Sequence, residues 1–482
     1  MNTNKIGIIS SLCPEPFAKL LEAKIAALGT AAEPAPEVVR SAVEWTKIEN
    51  PRIPLVAEAD VKMQAFEEAV QLADKNVSVI AVPHFASLKW IGELQTEILT
   101  PIASIAEAIG KSVEAGTRIG FLGTADSEKA KVVTEAIGKF ADIEWVYLDD
   151  AAAALIEELH AGCKCGCCDK AAVFAKLEEA CRYLVNHGAT TIIPPCGYMA
   201  AMADELHAKG LPVLDVAEIY AKFLVSGEWK QIAKPFKLGL VGGLGPAATV
   251  DLYDKFTKAT PAANDQEHFK VVIEQNPQIP DRTQYLLNGG VDPTLALYAA
   301  CKRLEADGVD AILIPCNTAH AFFEAIGPKL RAPIINMQQV TLEEIENKYG
   351  KDCVIGLLAT NGTCQTGIYS RKAEEMGLKL VTPDAEFQKL VMSAIYGPKG
   401  AKAGYTDGIC REELVAAGRH LVRDKGANVL ILGCTELPLI LDECESLDLG
   451  EGFKSAVVDP TATLARRAAK IAAEISKIRG RK

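Results

Sequence analysis

Residues 315–320 read Pro315-Cys316-Asn317-Thr318-Ala319-His320 and follow directly on an apolar run, residues 311–314. A continuous apolar run of this length predicts a buried strand, and the polar residues after it open the next turn or helix. A second stretch has the same form: Gly433-Cys434-Thr435-Glu436-Leu437-Pro438 follows the apolar run 429–432. In open α/β sheets, ligands bind outside the carboxyl ends of the strands. Two cysteines placed there can face one ligand from opposite sides. Cys316 and Cys434 are therefore the expected chemical centre.

Outward from these two stretches, short apolar runs alternate with helical patterns. Residues 5–9, 77–82, 118–122, 144–148 and 190–193 read as strands, with helices expected over 16–27 and 57–75. This alternation predicts an α/β fold with parallel sheets covered by helices. The second half of the chain repeats the first. Lys5-Ile6-Gly7-Ile8-Ile9 matches Lys237-Leu238-Gly239-Leu240-Val241, and Val82-Pro83-His84 matches Ile314-Pro315-Cys316, both at an offset of 232 residues. Ile119-Gly120-Phe121-Leu122-Gly123-Thr124 matches Ile355-Gly356-Leu357-Leu358-Ala359-Thr360 at 236, and Cys196 matches Cys434 at 238. A slowly growing offset is what a few loop insertions in a duplicated chain produce. The boundary is expected within 227–235. Each copy is large for a single doubly wound sheet, so two α/β subdomains per copy, with a ligand cleft between them, are expected.

Composition narrows the function. The 482 residues are 49% hydrophobic, enough for large cores, and carry a formal charge of −12. That charge argues against nucleic acid or an anionic membrane as the main partner. The short apolar run near the N-terminus is too brief for a signal-peptide core, and no stretch is long and apolar enough to span a bilayer. Fourteen cysteines in a long chain without an export signal are expected to be reduced thiols in the cytoplasm.

Five ordered blocks span most of residues 237–470. They are Gly242-Gly243-Leu244-Gly245-Pro246-Ala247-Ala248-Thr249, Asn276-Pro277-Gln278-Ile279-Pro280-Asp281-Arg282-Thr283, the stretch around Cys316, Leu358-Ala359-Thr360-Asn361-Gly362-Thr363, and the stretch around Cys434. Together they resemble the aspartate/glutamate racemase superfamily, specifically its aspartate racemase branch. The resemblance implies two tandem racemase-like lobes, each of two pseudo-symmetric α/β subdomains with mainly parallel sheets. A degenerate lobe is expected over 1–233 and a catalytic one over 236–480. It further implies interconversion of L- and D-aspartate, or of glutamate, without pyridoxal phosphate, metal or any other cofactor. By resemblance Cys316 and Cys434 are the catalytic pair. Arg282 grips the side-chain carboxylate, and Lys402, in the Gly-rich loop 397–404, is a second carboxylate contact. Asn317, Thr318 and Thr435 hold the α-carboxylate, with Thr360 and Thr363 as further candidates.

The residue types suit that chemistry. Racemisation removes the Cα proton from one face and delivers one to the other, so two groups must exchange acid and base roles. A free thiol, with a pKa of about 8.5, is only partly ionised near neutrality, and a thiol with a thiolate can serve as such a pair. A guanidinium matches a carboxylate bidentately. The plainer readings are that the cysteines are small buried hydrophobes, the polar residues helix caps, and Lys402 an exposed loop lysine. A cysteine-dependent isomerase of a small dicarboxylate and a non-catalytic amino-acid binding protein are the alternatives, and a binding module needs neither thiol. The expected partner is a small acidic amino acid, and the expected assembly is a monomer, pseudo-dimeric through duplication, or a homodimer.

The N-terminal copy departs from the pattern. His84 stands in place of the first cysteine, Phe85 and Ala86 replace Asn-Thr, and Gly197 follows Cys196. In Asn50-Pro51-Arg52-Ile53-Pro54-Leu55-Val56, Val56 occupies the arginine position. Two readings follow: a silent scaffold, or an altered site in which His84 activates Cys196. His160 with Cys163, Cys165, Cys167 and Cys168 forms a dense cluster that maps onto the lid loop of this copy. Zinc binding, a redox-active loop and an incidental cluster are its three readings.

Overall fold

The structure is a computed structural model describing residues 5–13, 15–30, 33–43, 54–154, 156, 170–229 and 232–480. The cysteine cluster 163–168 with His160, and residues 50–53, lie outside the described residues. The same holds for residues 230–231, within the expected boundary. The chain divides into two compact units, residues 1–232 and 233–482.

In the second unit the apolar runs become strands buried on both faces. The first sheet has, among the described residues, the order Ala311–Leu313, Lys237–Gly242, Lys270–Gln275, all parallel. Ile334 adds a parallel bridge beside Ile312. The second sheet runs Lys379–Val381, Val354–Ala359, Val429–Gly433, Lys454–Val458, Cys444–Asp448. Only its last pair is antiparallel, and nothing in the apolar periodicity pointed to that hairpin. The strand before Cys316 ends at Leu313 rather than at the cysteine, because Cys316 N–H turns back to the Ile314 carbonyl (2.8 Å). The first unit has the same plan. One parallel sheet has the order Glu37–Arg40, Lys5–Ile8, Val79–Ala81, Ile102–Ala103, and another Ile143–Tyr147, Thr117–Phe121, Thr191–Ile193.

The repeat is fourfold at the level of packing. In each of the four sheets one inner strand carries a glycine under a leucine. Leu72 presses on Gly7, Leu184 on Gly120, Leu304 on Gly239 and Leu421 on Gly356, each 3.0–3.1 Å from where a Cβ would stand. A side chain at these positions would crowd the covering leucine, so the motif Ile/Leu-Gly recurs on an inner strand of each half.

The last helix of each unit returns to its first sheet. In the second unit Pro460–Ile478 packs Leu464, Ala465 and Ala468 against Leu238, Leu240 and Leu313. Asp459 caps it by accepting from Thr461 N–H (2.7 Å) and pairs with Lys255 Nζ (2.6 Å). In the first unit Asp215 caps Val216–Ser226 and pairs with Lys24 (2.5 Å). One charged tie thus closes each copy. No helix among the described residues is long and apolar enough to cross a membrane.

Candidate active site

Within the second unit both chemical stretches emerge at strand ends and meet in one cleft of about 290 Å³, its mouth included. Cys316 and Cys434 both line it, each 7% exposed. Thr435 Oγ1 donates to the Pro315 carbonyl (3.2 Å) and ties the two strand ends together.

The turn carrying Cys316 is braced from behind by His320. Met337 N–H donates to His320 Nε2 (3.2 Å), so Nδ1 carries the proton and donates to the Cys316 carbonyl (2.9 Å). Burial lowers the imidazole below its ordinary pKa, which keeps it neutral. Next to the cysteine, Asn317 is buried. Its Oδ1 accepts from Tyr369 Oη (2.7 Å), while Nδ2 has no hydrogen-bond partner. A buried amide donor left unpaired costs about 1–3 kcal/mol, and this one lines the cleft.

Arg282 opens the helix Arg282–Asn288, which Asp281 caps. Its Nη1 donates to the Pro280 carbonyl (3.2 Å) and its Nη2 to the Leu244 carbonyl (2.9 Å), while Nε is buried without a partner. The guanidinium is thus pinned by backbone with its Nε edge left over. Burial opposes its charge, but the Cys316 sulfur beside it more than offsets that and holds its pKa above the ordinary value. The Gly243–Gly245 loop reaches this position through two positive φ angles, +91° and +138°. A Cβ on Gly243 would collide with the Asn276 backbone.

Thr318 and Thr360 line the cleft, their hydroxyls 3.2 Å apart. Thr363 does not: it is fully buried behind them, 2.9 Å from Thr318 Oγ1 and 3.1 Å from Thr360 Oγ1. Lys402 faces the cleft but is already paired with Glu436, and it lies over the Tyr396 ring (5.4 Å). Its side chain keeps 27% of its surface exposed while making these contacts. Burial alone would lower its pKa, yet the Glu436 carboxylate holds it above the ordinary value. Cys434 Sγ donates to the other oxygen of Glu436 (3.0 Å). Burial, and next the Glu436 charge, push this thiol well above its ordinary pKa.

Glu436, Tyr396, Asp281 and Thr283 also line the cleft and were not among the expected site residues. Glu436 had a signal: a carboxylate two residues after a buried cysteine and directly before Leu437-Pro438. Tyr396, the last residue of the helix Ala385–Tyr396, had none. In the first unit, His84 N–H makes the same turn to the Val82 carbonyl (2.8 Å). The imidazole's Nδ1 is buried without a partner, and burial lowers its pKa. Among the described residues no hydrogen bond joins His84 to Cys196.

Each unit carries two mainly parallel sheets, and in the second the two cysteines meet in one cleft, an arrangement that comparison with known proteins places among the Asp/Glu/hydantoin racemases. The chain belongs to that family: the family model of Asp/Glu/Hydantoin racemases matches residues 6–224 and again 241–468. Among its relatives is the broad specificity amino-acid racemase RacX of Bacillus subtilis, 26% identical over 238 residues, covering 48% of this chain and 95% of that protein. Another is glutamate racemase 3 of Caldanaerobacter subterraneus, 27% identical over 163 residues, covering 34% of this chain and 55% of that protein. Among solved structures, Picrophilus torridus aspartate racemase matches at 30% identity over 51% of this chain and 95% of its own, with a TM-score of 0.42.

Proposed function

We propose that the second unit racemises an acidic amino acid, aspartate first and glutamate next, with Cys316 and Cys434 as the two bases and no cofactor. Family membership supports an isomerase acting on amino acids. The observation that carries the finer reading is the pair of thiols in one small cleft beside a guanidinium whose Nε edge is buried and unpaired. A carboxylate offered to that edge gains charge-assisted hydrogen bonds without disturbing the backbone clamp.

In this reading the substrate's distal carboxylate meets Arg282. Its α-carboxylate takes the Asn317 Nδ2 donor and the Thr318, Thr360 and Thr435 groups, which stabilise the carbanion as charge develops. Thr363 supports the two threonine hydroxyls from behind. One sulfur removes the Cα proton while the other donates from the opposite face, and each turnover leaves the two exchanged. Lys402 joins as a second cation when it leaves Glu436.

The test is incubation of the purified protein with L-aspartate in deuterated buffer, without added cofactor. Deuterium at Cα and the appearance of D-aspartate are expected. No exchange from either enantiomer of aspartate or glutamate would reject the reading.

A further inference from the structure

Glu436 sits between Cys434 and the lid, the 397–404 loop that carries Lys402. It is 4% exposed, with one carboxylate oxygen accepting from Cys434 Sγ at 3.0 Å and the other paired with Lys402 Nζ. Gly245 covers it from the first subdomain: a Cβ there would stand 2.5 Å from Glu436 Oε1. The carboxylate is thus enclosed by the glycine loop, the lid lysine and the thiol. Enclosure of this kind makes it a strong acceptor with one cation to balance it. Cys316 has the opposite surroundings, beside the Arg282 guanidinium.

The two thiols are therefore not equivalent before substrate arrives. A thiol that donates to a carboxylate holds its proton, and a thiolate in that place would face a second negative charge. We propose that Glu436 is a positioning residue that stores the cleft's exchangeable proton on Cys434 in the ligand-free protein. Lys402 tunes the device, since its ammonium is what Glu436 and a Cys434 thiolate would compete for. This deepens the two-base reading and rests on it for its place in turnover, but the protonation asymmetry stands apart from activity.

The groups facing Cys434 are few. They are Glu436 on its own turn, Lys402 from the lid, and Tyr396 from the helix Ala385–Tyr396, whose phenol burial pushes up to about 12 and so keeps neutral. Arg282 and Asp281 line the same cleft. Glu436→Gln keeps an acceptor for the thiol but removes the charge, and leaves Lys402 free to favour the thiolate.

Alkylation by iodoacetamide at neutral pH, mapped by mass spectrometry, reads each thiol directly. In the native protein Cys316 is expected to react well ahead of Cys434. In Glu436→Gln, Cys434 is expected to react about tenfold faster than in the native chain. Losing the Glu436 charge raises the thiolate fraction of Cys434, and the accompanying fall in intrinsic nucleophilicity offsets only part of the gain. Lys402→Met is expected to slow Cys434 further, which keeps the test open if Glu436→Gln does not fold. Cys434 reacting as fast as Cys316 in the native protein, or unchanged by both folded variants, overturns the proposal. Because the readout is chemical modification, a protein that racemises nothing can still pass it, and an active racemase can still fail it.

Discussion

The two copies agree wherever packing decides and part wherever chemistry would. Both place a glycine under a leucine on an inner strand of each sheet, and both close with a lysine on the aspartate that caps the last helix. Both make the same two-residue turn before His84 and Cys316. At the strand ends, however, Cys316, Asn317, Thr318, Thr435 and Glu436 face His84, Phe85, Ala86, Gly197 and Tyr198 in the first copy. The first loop diverges as well. Ser10 and Ser11 N–H groups both donate to buried Glu68 (2.8 and 3.2 Å), whereas Gly243 N–H donates to Thr249 Oγ1 (3.1 Å) and frees the loop to clamp Arg282. A scaffold held by close contacts resists change, because a methyl at Gly239 would meet Leu304.

The largest expected effect separates the copies by their cysteines. Cys316→Ser and Cys434→Ser should each lower racemisation by about 10²–10⁴-fold, the usual worth of a general acid or base. Cys196→Ser should leave it within about twofold. Burying the hydroxyl without a partner costs about 1–3 kcal/mol of stability, so folding is checked first. Racemisation assayed on the three folded variants decides it. Activity as low in Cys196→Ser as in Cys316→Ser would break the comparison and give the first copy a part in catalysis.

Next comes the arginine. Arg282→Val installs what the first copy has at position 56. A carboxylate then enters with its buried partner gone, at a cost of about 3–5 kcal/mol. Acidic substrates should lose about 10²–10⁴-fold in kcat/KM, and neutral amino acids far less. Equal losses for aspartate and alanine would take the specificity role from Arg282.

Much of this was legible because strand ends follow apolar runs. The α/β class, the parallel sheets, the duplication and the convergence of Cys316 with Cys434 all follow from local sequence. Thr363 differs in kind: the same short block places Thr360 in the cleft and Thr363 behind it, because a helix that starts at Asn361 turns its third residue inward. Glu436 as the partner of Lys402 was out of reach, since the contact joins residues 34 apart in sequence through the lid's conformation. The backbone clamp on Arg282 was hidden for the same reason, its Leu244 acceptor lying on another loop. Lengths failed where tertiary pairing decides: the two-residue strand Ile102–Ala103 and the antiparallel strand Cys444–Asp448 exist only through their neighbours.

The smallest expected effect sharpens the comparison where the copies look alike. Lys255 serves an aspartate only 2% exposed, whereas Asp215 beside Lys24 keeps 16% of its side chain exposed; each lysine also pairs with a second carboxylate, Asp251 and Glu218 respectively. Removing the cation from the more buried carboxylate leaves it uncompensated. Lys255→Met should therefore destabilise its unit by about 3 kcal/mol, and Lys24→Met its own by about 1 kcal/mol. Because the units can unfold separately, the measurement is amide hydrogen exchange of the central strands, Lys237–Gly242 in one and Lys5–Ile8 in the other. The pH dependence carries a sign. Burial raises the Asp459 pKa above the usual carboxylate value even with Lys255 beside it. A carboxyl raised in the folded state contributes its stability below the unfolded value and loses it as pH rises through the folded one. The Lys255→Met deficit should therefore be small in acid, where the neutral acid needs no cation, and grow as pH rises above the usual carboxylate range. A deficit that is flat with pH, or equal in the two units, would show that the lysines act through their packed methylene chains and that the charged tie is incidental in both copies.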